Sequence, residues 1–201
     1  MTTAETRRLP LFICLFALFA LLPMTAQAET EKWYTYWALG TATIKYPSEL
    51  ESVVDSVRNS PGVDSTVYSG DFFGFYSPVD WAEQSIAGFV IHSDSERLES
   101  DLGWVQMNLY TYSFSFMRFY GTEPGDGFFL RGDAGFATGV VEYSDGSSTD
   151  FDETGFGLLF GVGYGFKVTE GTRILLTLSH AERDIDDEGF GATSLTVGGL
   201  F

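Results

Sequence analysis

Between Phe156 and Lys167 the sequence alternates without a break. Phe156, Leu158, Phe160, Val162, Tyr164 and Phe166 take every second position, and Gly157, Leu159, Gly161, Gly163, Gly165 and Lys167 stand between them. Period 2 belongs to a strand, whose successive side chains point to opposite faces. One face is large and apolar, the other nearly bare. A narrow closed barrel with an apolar exterior satisfies that pattern. A sandwich would instead bury the aromatic face in a core.

Seven further segments read the same way. With this one, the candidate strands are Trp33–Ile44, Thr66–Ser77, Ser85–His92, Leu102–Tyr120, Gly127–Tyr143, Thr154–Lys167, Thr172–Arg183 and Gly191–Phe201. Several exceed the ~9–11 residues that a tilted strand needs to cross a bilayer. Three connections are short: Pro78–Gln84, Gly121–Asp126 and Val168–Gly171. Four are longer or acidic: Lys45–Ser65, Ser93–Asp101, Ser144–Glu153 and Asp184–Phe190. Eight strands put all short turns at one end with both termini, and all acidic connections at the other. The expected fold is therefore an all-β, closed, antiparallel eight-stranded transmembrane barrel. In the fourth strand Tyr110, Tyr112, Phe114 and Phe116 compete with Met107 and Leu109 for the apolar face, and a bulge near Asn108 would reconcile them.

The first 28 residues are a separate segment. Arg7 and Arg8 precede an apolar run from Leu9 to Met24, interrupted by Pro10 and Pro23. Ala26 and Ala28 then stand at the −3 and −1 positions of a cut before Glu29, the order of parts in a secretory signal peptide. The run is about 16 residues, short of the ~20 of a spanning helix. The domain expectation is a signal peptide over 1–28 and a barrel over 29–201. Cys14 is the single cysteine and falls within the run, so the mature chain has no disulfide. Without Glu5, Arg7 and Arg8 the mature chain keeps nine Lys and Arg against 27 Asp and Glu, a formal charge of −18. Such a chain lacks the basic face that nucleic acid requires.

The chain ends Leu195-Thr196-Val197-Gly198-Gly199-Leu200-Phe201. A terminal phenylalanine with apolar residues at alternate positions resembles the assembly signal of outer-membrane barrels. Leu195, Val197 and Phe201 match it, while Gly199 departs by being small. With the signal peptide and eight strands, nearly the whole mature chain is similar to the small OmpA- and OmpX-type barrels of Gram-negative outer membranes. The resemblance implies a monomeric multi-pass barrel with its termini in the periplasm, inserted by the barrel-assembly machinery. It carries over no catalytic residue and no cofactor.

The residues offer a few sites. Asp71, Arg131, Asp133, Lys167 and Arg173 are expected inside the barrel as a charge network, read either as a structural ion-pair cluster or as a gated ion path. His92 and His180 lie toward strand ends, with Ser93, Asp94 and Ser95 beside the first and Ser179 and Glu182 beside the second. A His–Ser–carboxylate set would suit acyl transfer on lipid A, but neighbouring strand residues face apart, so His180 and Ser179 are poorly placed to meet. Ser144–Glu153 carries Asp145, Asp150, Asp152 and Glu153, and Asp184–Glu188 carries Asp184, Asp186, Asp187 and Glu188. These oxygen-rich loops are either solvated faces or calcium sites; divalent cations would let them meet lipopolysaccharide phosphates. Trp33, Trp37, Trp81, Trp104, Tyr110 and Tyr112 suit interface girdles.

One segment keeps helical spacing. Leu50, Val53, Val54 and Val57 within Pro47–Asn59 make an amphipathic helix of about three turns. Ser48 and Glu51 are spaced as a capping box, and Pro61-Gly62 stops the helix. It would cover the barrel mouth or lie on the outer leaflet. The leading functional expectation is a structural or interaction role at the cell surface without an open pore. A lipid A acyl hydrolase or transferase is the second reading, and a narrow solute or ion pore the third.

Overall fold

The computed structural model describes residues 33–151 and 153–201. The expected signal peptide, with its expected cleavage residues Ala26 and Ala28, lies outside them. In chain order the elements are β1 (Tyr34–Lys45), α1 (Ser48–Arg58), β2 (Asp64–Pro78), β3 (Ser85–Ser100), β4 (Gly103–Phe119), β5 (Gly127–Tyr143), the short β6 (Ser148–Asp150), β7 (Gly155–Lys167), β8 (Arg173–Ile185) and β9 (Glu188–Leu200). Every pairing is antiparallel. The order β4-β3-β2-β1-β9-β8-β7-β5 closes on itself through β4–β5, which makes an eight-stranded barrel with β6 as a flap on β5.

The alternation in β7 is realised residue by residue. Phe156 to Phe166 stand outward and exposed, and Gly157, Leu159, Gly161 and Gly165 are buried. The missing side chains leave room for bulk from the neighbouring strand. A Cβ on Gly163 would sit 2.4 Å from the Phe129 ring of β5, so this position fills the interior only by being empty.

Two expected loops are strands. Ser93–Asp101 is not a loop: β3 continues to Ser100 and meets β4 after Asp101-Leu102. Asp184–Phe190 likewise shrinks to Asp186-Asp187 between β8 and β9, both at positive φ (54° and 60°) as a tight two-residue hairpin requires. The polar residues that suggested loops face the barrel interior instead: Asp94 and Glu96 are buried.

The bulge lies elsewhere than expected. β4 runs in unbroken register with β3 and β5 through Asn108. Leu109, Thr111, Ser113, Ser115, Met117 and Phe119 face in, and Tyr110, Tyr112, Phe114 and Phe116 face out. Met107 and Val105 simply continue the inward face, which turns apolar where it meets α1. The register shifts in β2 instead, between Phe72 and Phe75, with Phe73 at φ 52°. That extra residue lets both Asp71 and Tyr76 face inward, although five positions apart would otherwise oppose them.

The helix is as expected in place and length, but its capping differs. Pro47 is the N-cap, and Ser48 makes no side-chain cap. Only the returning half of the box forms: Tyr46 N–H donates to Glu51 Oε2 at 2.7 Å. Val54 is buried in an apolar cluster at the loop end, with Ile44, Tyr46, Leu98, Leu109, Ile185 and Phe190. A second cluster fills the turn end with Tyr34, Tyr36, Tyr76, Ile86, Met117, Phe119, Phe129, Leu175 and Leu200.

Candidate functional site

Between the two apolar clusters lies a belt of charge. Asp71 on β2 accepts two hydrogen bonds from Arg131 on β5, at 2.7 and 2.8 Å. Arg131 also donates to Asp133, its neighbour on the same face, at 2.6 to 3.1 Å. His92 on β3 sets Nδ1 2.9 Å from Asp71 Oδ1 and Nε2 3.1 Å from Asp94 Oδ2. Arg183 on β8 extends the chain, donating to Asp94 at 2.7 Å and to Thr111 at 2.8 Å. Two arginines and a histidine thus face three carboxylates, and each His92 ring nitrogen meets one acid, Asp71 or Asp94. Each of these side chains is essentially inaccessible. Among the described residues the hydroxyls of Ser69, Ser115 and Thr177, together with Asp94 Oδ1 and Arg183 Nη1, find no hydrogen-bond partner at this level.

Asp71, Arg131 and Asp133 come together. Lys167 and Arg173 do not join them, because their strand positions fall at the turn end. There Lys167 Nζ lies 2.9 Å from Glu123 Oε1 and Arg173 Nη2 2.9 Å from Glu123 Oε2. The cluster ties the β4–β5 turn to the β7–β8 turn. The Glu123 carboxyl sits below its ordinary range, chiefly through the hydrogen bond from Lys167 and the charge of Arg173. This clamp contributes fully above the unfolded carboxylate value of ~4.3 and is lost as pH falls through the lower folded value. Urea midpoints of Glu123→Gln should fall by only about 0–1 kcal/mol at neutral pH, and the acid-side loss assigned to this group should vanish.

His92, Asp94 and Arg183 were missed as members of the belt. His92 looked like the end of a strand, whereas β3 runs eight residues beyond it. A period-2 reading carried past His92 puts Asp94 on its face. Ser93 and Ser95 face outward, so no serine meets His92. His180 also lies within its strand, on the outward face of β8. Its Nδ1 is 2.9 Å from Thr193 Oγ1 and its Nε2 2.8 Å from Glu182 Oε1. Ser179 faces inward and bonds Ser194 at 2.8 Å.

The loop end is held by a further buried acid. Glu96 accepts from Tyr46 Oη at 2.8 Å, from Ser65 at 2.8 Å, and from Arg58 Nε and Nη2 at 2.9 and 3.0 Å. The Arg58 guanidinium, on α1, is held above its ordinary value chiefly by the hydrogen bond to Glu96. Among the described residues no group of three His, Cys, Asp or Glu is spaced to hold a metal ion; Asp152 lies outside them.

The terminus is anchored at the turn end. Thr35 and Phe201 exchange backbone hydrogen bonds of 2.9 and 3.0 Å. The Phe201 ring stacks on Trp37, and a Cβ on Gly199 would lie 2.5 Å from it. Gly199 is small so that this ring can lie across β9. Leu195 and Val197 stand outward on the same strand. Trp33, Trp37 and Trp81 are exposed toward the turn end, and Trp81 stacks on Phe116, while Trp104, Tyr110 and Tyr112 stand toward the loop end of β4.

Known proteins with this architecture are barrels of the same kind. Neisserial surface protein A superposes with a TM-score of 0.58 at 12% identity, covering 84% of this chain and 95% of that one. Ail, the attachment invasion locus protein of Yersinia pestis, solved with the heparin analogue sucrose octasulfate, gives 0.51 at 13%, covering 85% and 99%. At these identities the likeness is one of fold. No curated protein matches by sequence. The family model of the outer membrane protein beta-barrel domain matches residues 14–199, and the chain belongs to that family.

Proposed function

We propose that the protein is a closed structural and interaction barrel of the cell surface, without an open pore, with its termini in the periplasm. The stacking of the interior carries this reading. Apolar side chains fill the turn end, the ionic belt crosses the middle, and α1 covers an apolar cluster at the loop end. Moving an ion through such a stack would require breaking paired buried charges and dehydrating the ion twice. The loop end, with its acidic hairpins, would meet lipopolysaccharide through divalent cations, and the monomer would be inserted by the barrel-assembly machinery reading Leu195, Val197 and Phe201. Nucleic acid and cofactors have no part in this role.

A catalytic role finds little support. His92 is sealed within the belt. The outward His180 meets a threonine and a carboxylate, but the neighbouring backbone N–H groups are committed to strand pairing and offer no donors for an oxyanion.

Two measurements test the reading. In planar bilayers the folded protein should give no resolved conductance steps, and regular steps would revive the pore. The mature chain has no cysteine, so Leu102→Cys at the β3–β4 tip (98% exposed) and Val168→Cys in the β7–β8 turn (56% exposed) report orientation. An impermeant maleimide on intact cells should label the first and spare the second. The reverse pattern would invert the topology.

A further inference from the structure

The outward wall carries a groove where β5, β7 and β8 meet. It measures about 390 Å³ and is bordered by Leu130, Phe160, Val162 and Leu178, with His180 and Thr193 beside it. That is within the ~300–1,000 Å³ of small-ligand sites. Next to Phe160, the outward position Gly132 on β5 leaves the wall open, with nothing within 4 Å of where a Cβ would stand. The apolar band of β8 ends here: Ile174, Leu176 and Leu178 are followed outward by His180, Glu182 and Asp184. At this boundary Thr193, His180 and Glu182 form a continuous hydrogen-bonded row. An apolar channel open to hydrocarbon, closed at one end by a hydroxyl, an imidazole and a carboxylate, matches one kind of ligand. It fits an acyl chain that carries carbonyl and hydroxyl groups close to its polar end.

We propose that this groove seats one acyl chain of a lipopolysaccharide molecule, with the Thr193 hydroxyl and the Glu182 carboxylate, both held by His180, accepting from the hydroxyl or amide at the head of the chain. The choice of lipopolysaccharide over a phospholipid rests on the orientation proposed above, which puts the loop end in the outer leaflet. It also rests on chemistry, since lipid A chains are amide- or ester-linked and bear hydroxyls near the linkage. Those hydroxyls and amides can donate to the Thr193 and Glu182 oxygens of the row, whereas a plain ester supplies acceptors alone.

Native mass spectrometry of the folded barrel, released from detergent after incubation with lipid A, tests the seat. Four proteins are compared: wild type, Gly132→Leu, which puts a side chain into the open space beside Phe160, Thr193→Val, which removes the hydroxyl, and Val197→Leu, on the outward wall of β9 away from the groove. Wild type should retain one lipid A. Gly132→Leu should retain about tenfold less or lower still, because a leucine beside Phe160 takes up space that the chain would occupy along that wall and removes its contacts there. Thr193→Val should lose about three- to tenfold, the worth of one hydrogen bond. Val197→Leu should match wild type. Equal retention by all four would overturn the seat, as would phosphatidylethanolamine retained as well as lipid A. Should Gly132→Leu fail to fold, Thr193→Val against Val197→Leu decides alone. Orientation is read by the cysteine labelling and lipid retention by the spectrometer, so the failure of one is separable from the failure of the other.

Discussion

Arg131→Met should destabilise the barrel by about 3–5 kcal/mol, the cost of breaking a buried ion pair by removing one partner. Arg131 stands between Asp71 and Asp133, with both partners and itself about 1% exposed. Methionine matches the stem and fills much of the volume, so little of the loss comes from a cavity. What remains is two buried carboxylates that both faced Arg131, of which Asp71 keeps only His92 and the Tyr36 hydroxyl. Arg131→Lys should fall between, because an ammonium cannot fork to two acids in the plane of a guanidinium. The triple variant Arg131→Met, Asp71→Asn, Asp133→Asn should recover most of the loss, since replacing a buried charge set as a whole is often close to neutral. Urea midpoints in detergent, read by the heat-dependent gel shift of the folded barrel, give all three values. An Arg131→Met barrel within about 1 kcal/mol of wild type, the worth of an exposed pair, would show that the belt is hydrated well enough to need no pairing.

That belt marks the boundary between what the sequence announces and what only the fold supplies. Phe156 to Phe166 declare a strand and its outward face because lipid-side residues are large, apolar and every second. Arg131 and Asp133 declare a shared face by their spacing. Asp71 lies 60 residues from Arg131, and nothing local tells either residue of the other. His92 was legible as a strand residue only up to its own position. Inward positions of a narrow barrel are polar, so beyond His92 both faces become hydrophilic and β3 resembles a loop for eight residues. The same ambiguity hid the ends of β8 and β9, where two aspartates at positive φ do the work usually signalled by glycine. In β4 the inward face changes from polar to apolar at Leu109, which mimics a slip in phase, and its cause is the helix above it. The true bulge at Phe73 escaped because aromatic residues on both sides of it suit the outward wall in either register. Lys167 and Arg173 have the parity of interior residues, but parity does not say how deep along the strand a side chain lies.

The loop end tests that same separation of local pattern from assembled contact. The spacing of Leu50, Val53, Val54 and Val57 is enough to predict α1, yet the helix buries only Val54, and Val53 and Val57 remain exposed. So small an apolar contact holds an 11-residue helix weakly, and isolated helices of that length are marginal in water. Its anchor is instead Glu96, which draws Arg58 from the last turn, Tyr46 from just before the first, and Ser65 from β2. Glu96→Ala should therefore undock the helix while leaving the barrel closed. Hydrogen bonds to charged groups are worth about 1.5–3 kcal/mol. A loss of about 2–3 kcal/mol would raise the opening equilibrium of residues 48–58 by about 30- to 150-fold. Hydrogen exchange of that segment should accelerate by this factor, and β7 and β8 should keep their protection. Glu96→Gln keeps an acceptor for Tyr46 and Ser65 but gives up the charge facing Arg58, so it should fall between. Unchanged exchange in Glu96→Ala would assign the docking to Val54 and its apolar neighbours. Accelerated exchange throughout β7 and β8 would make the lid part of the barrel's own stability.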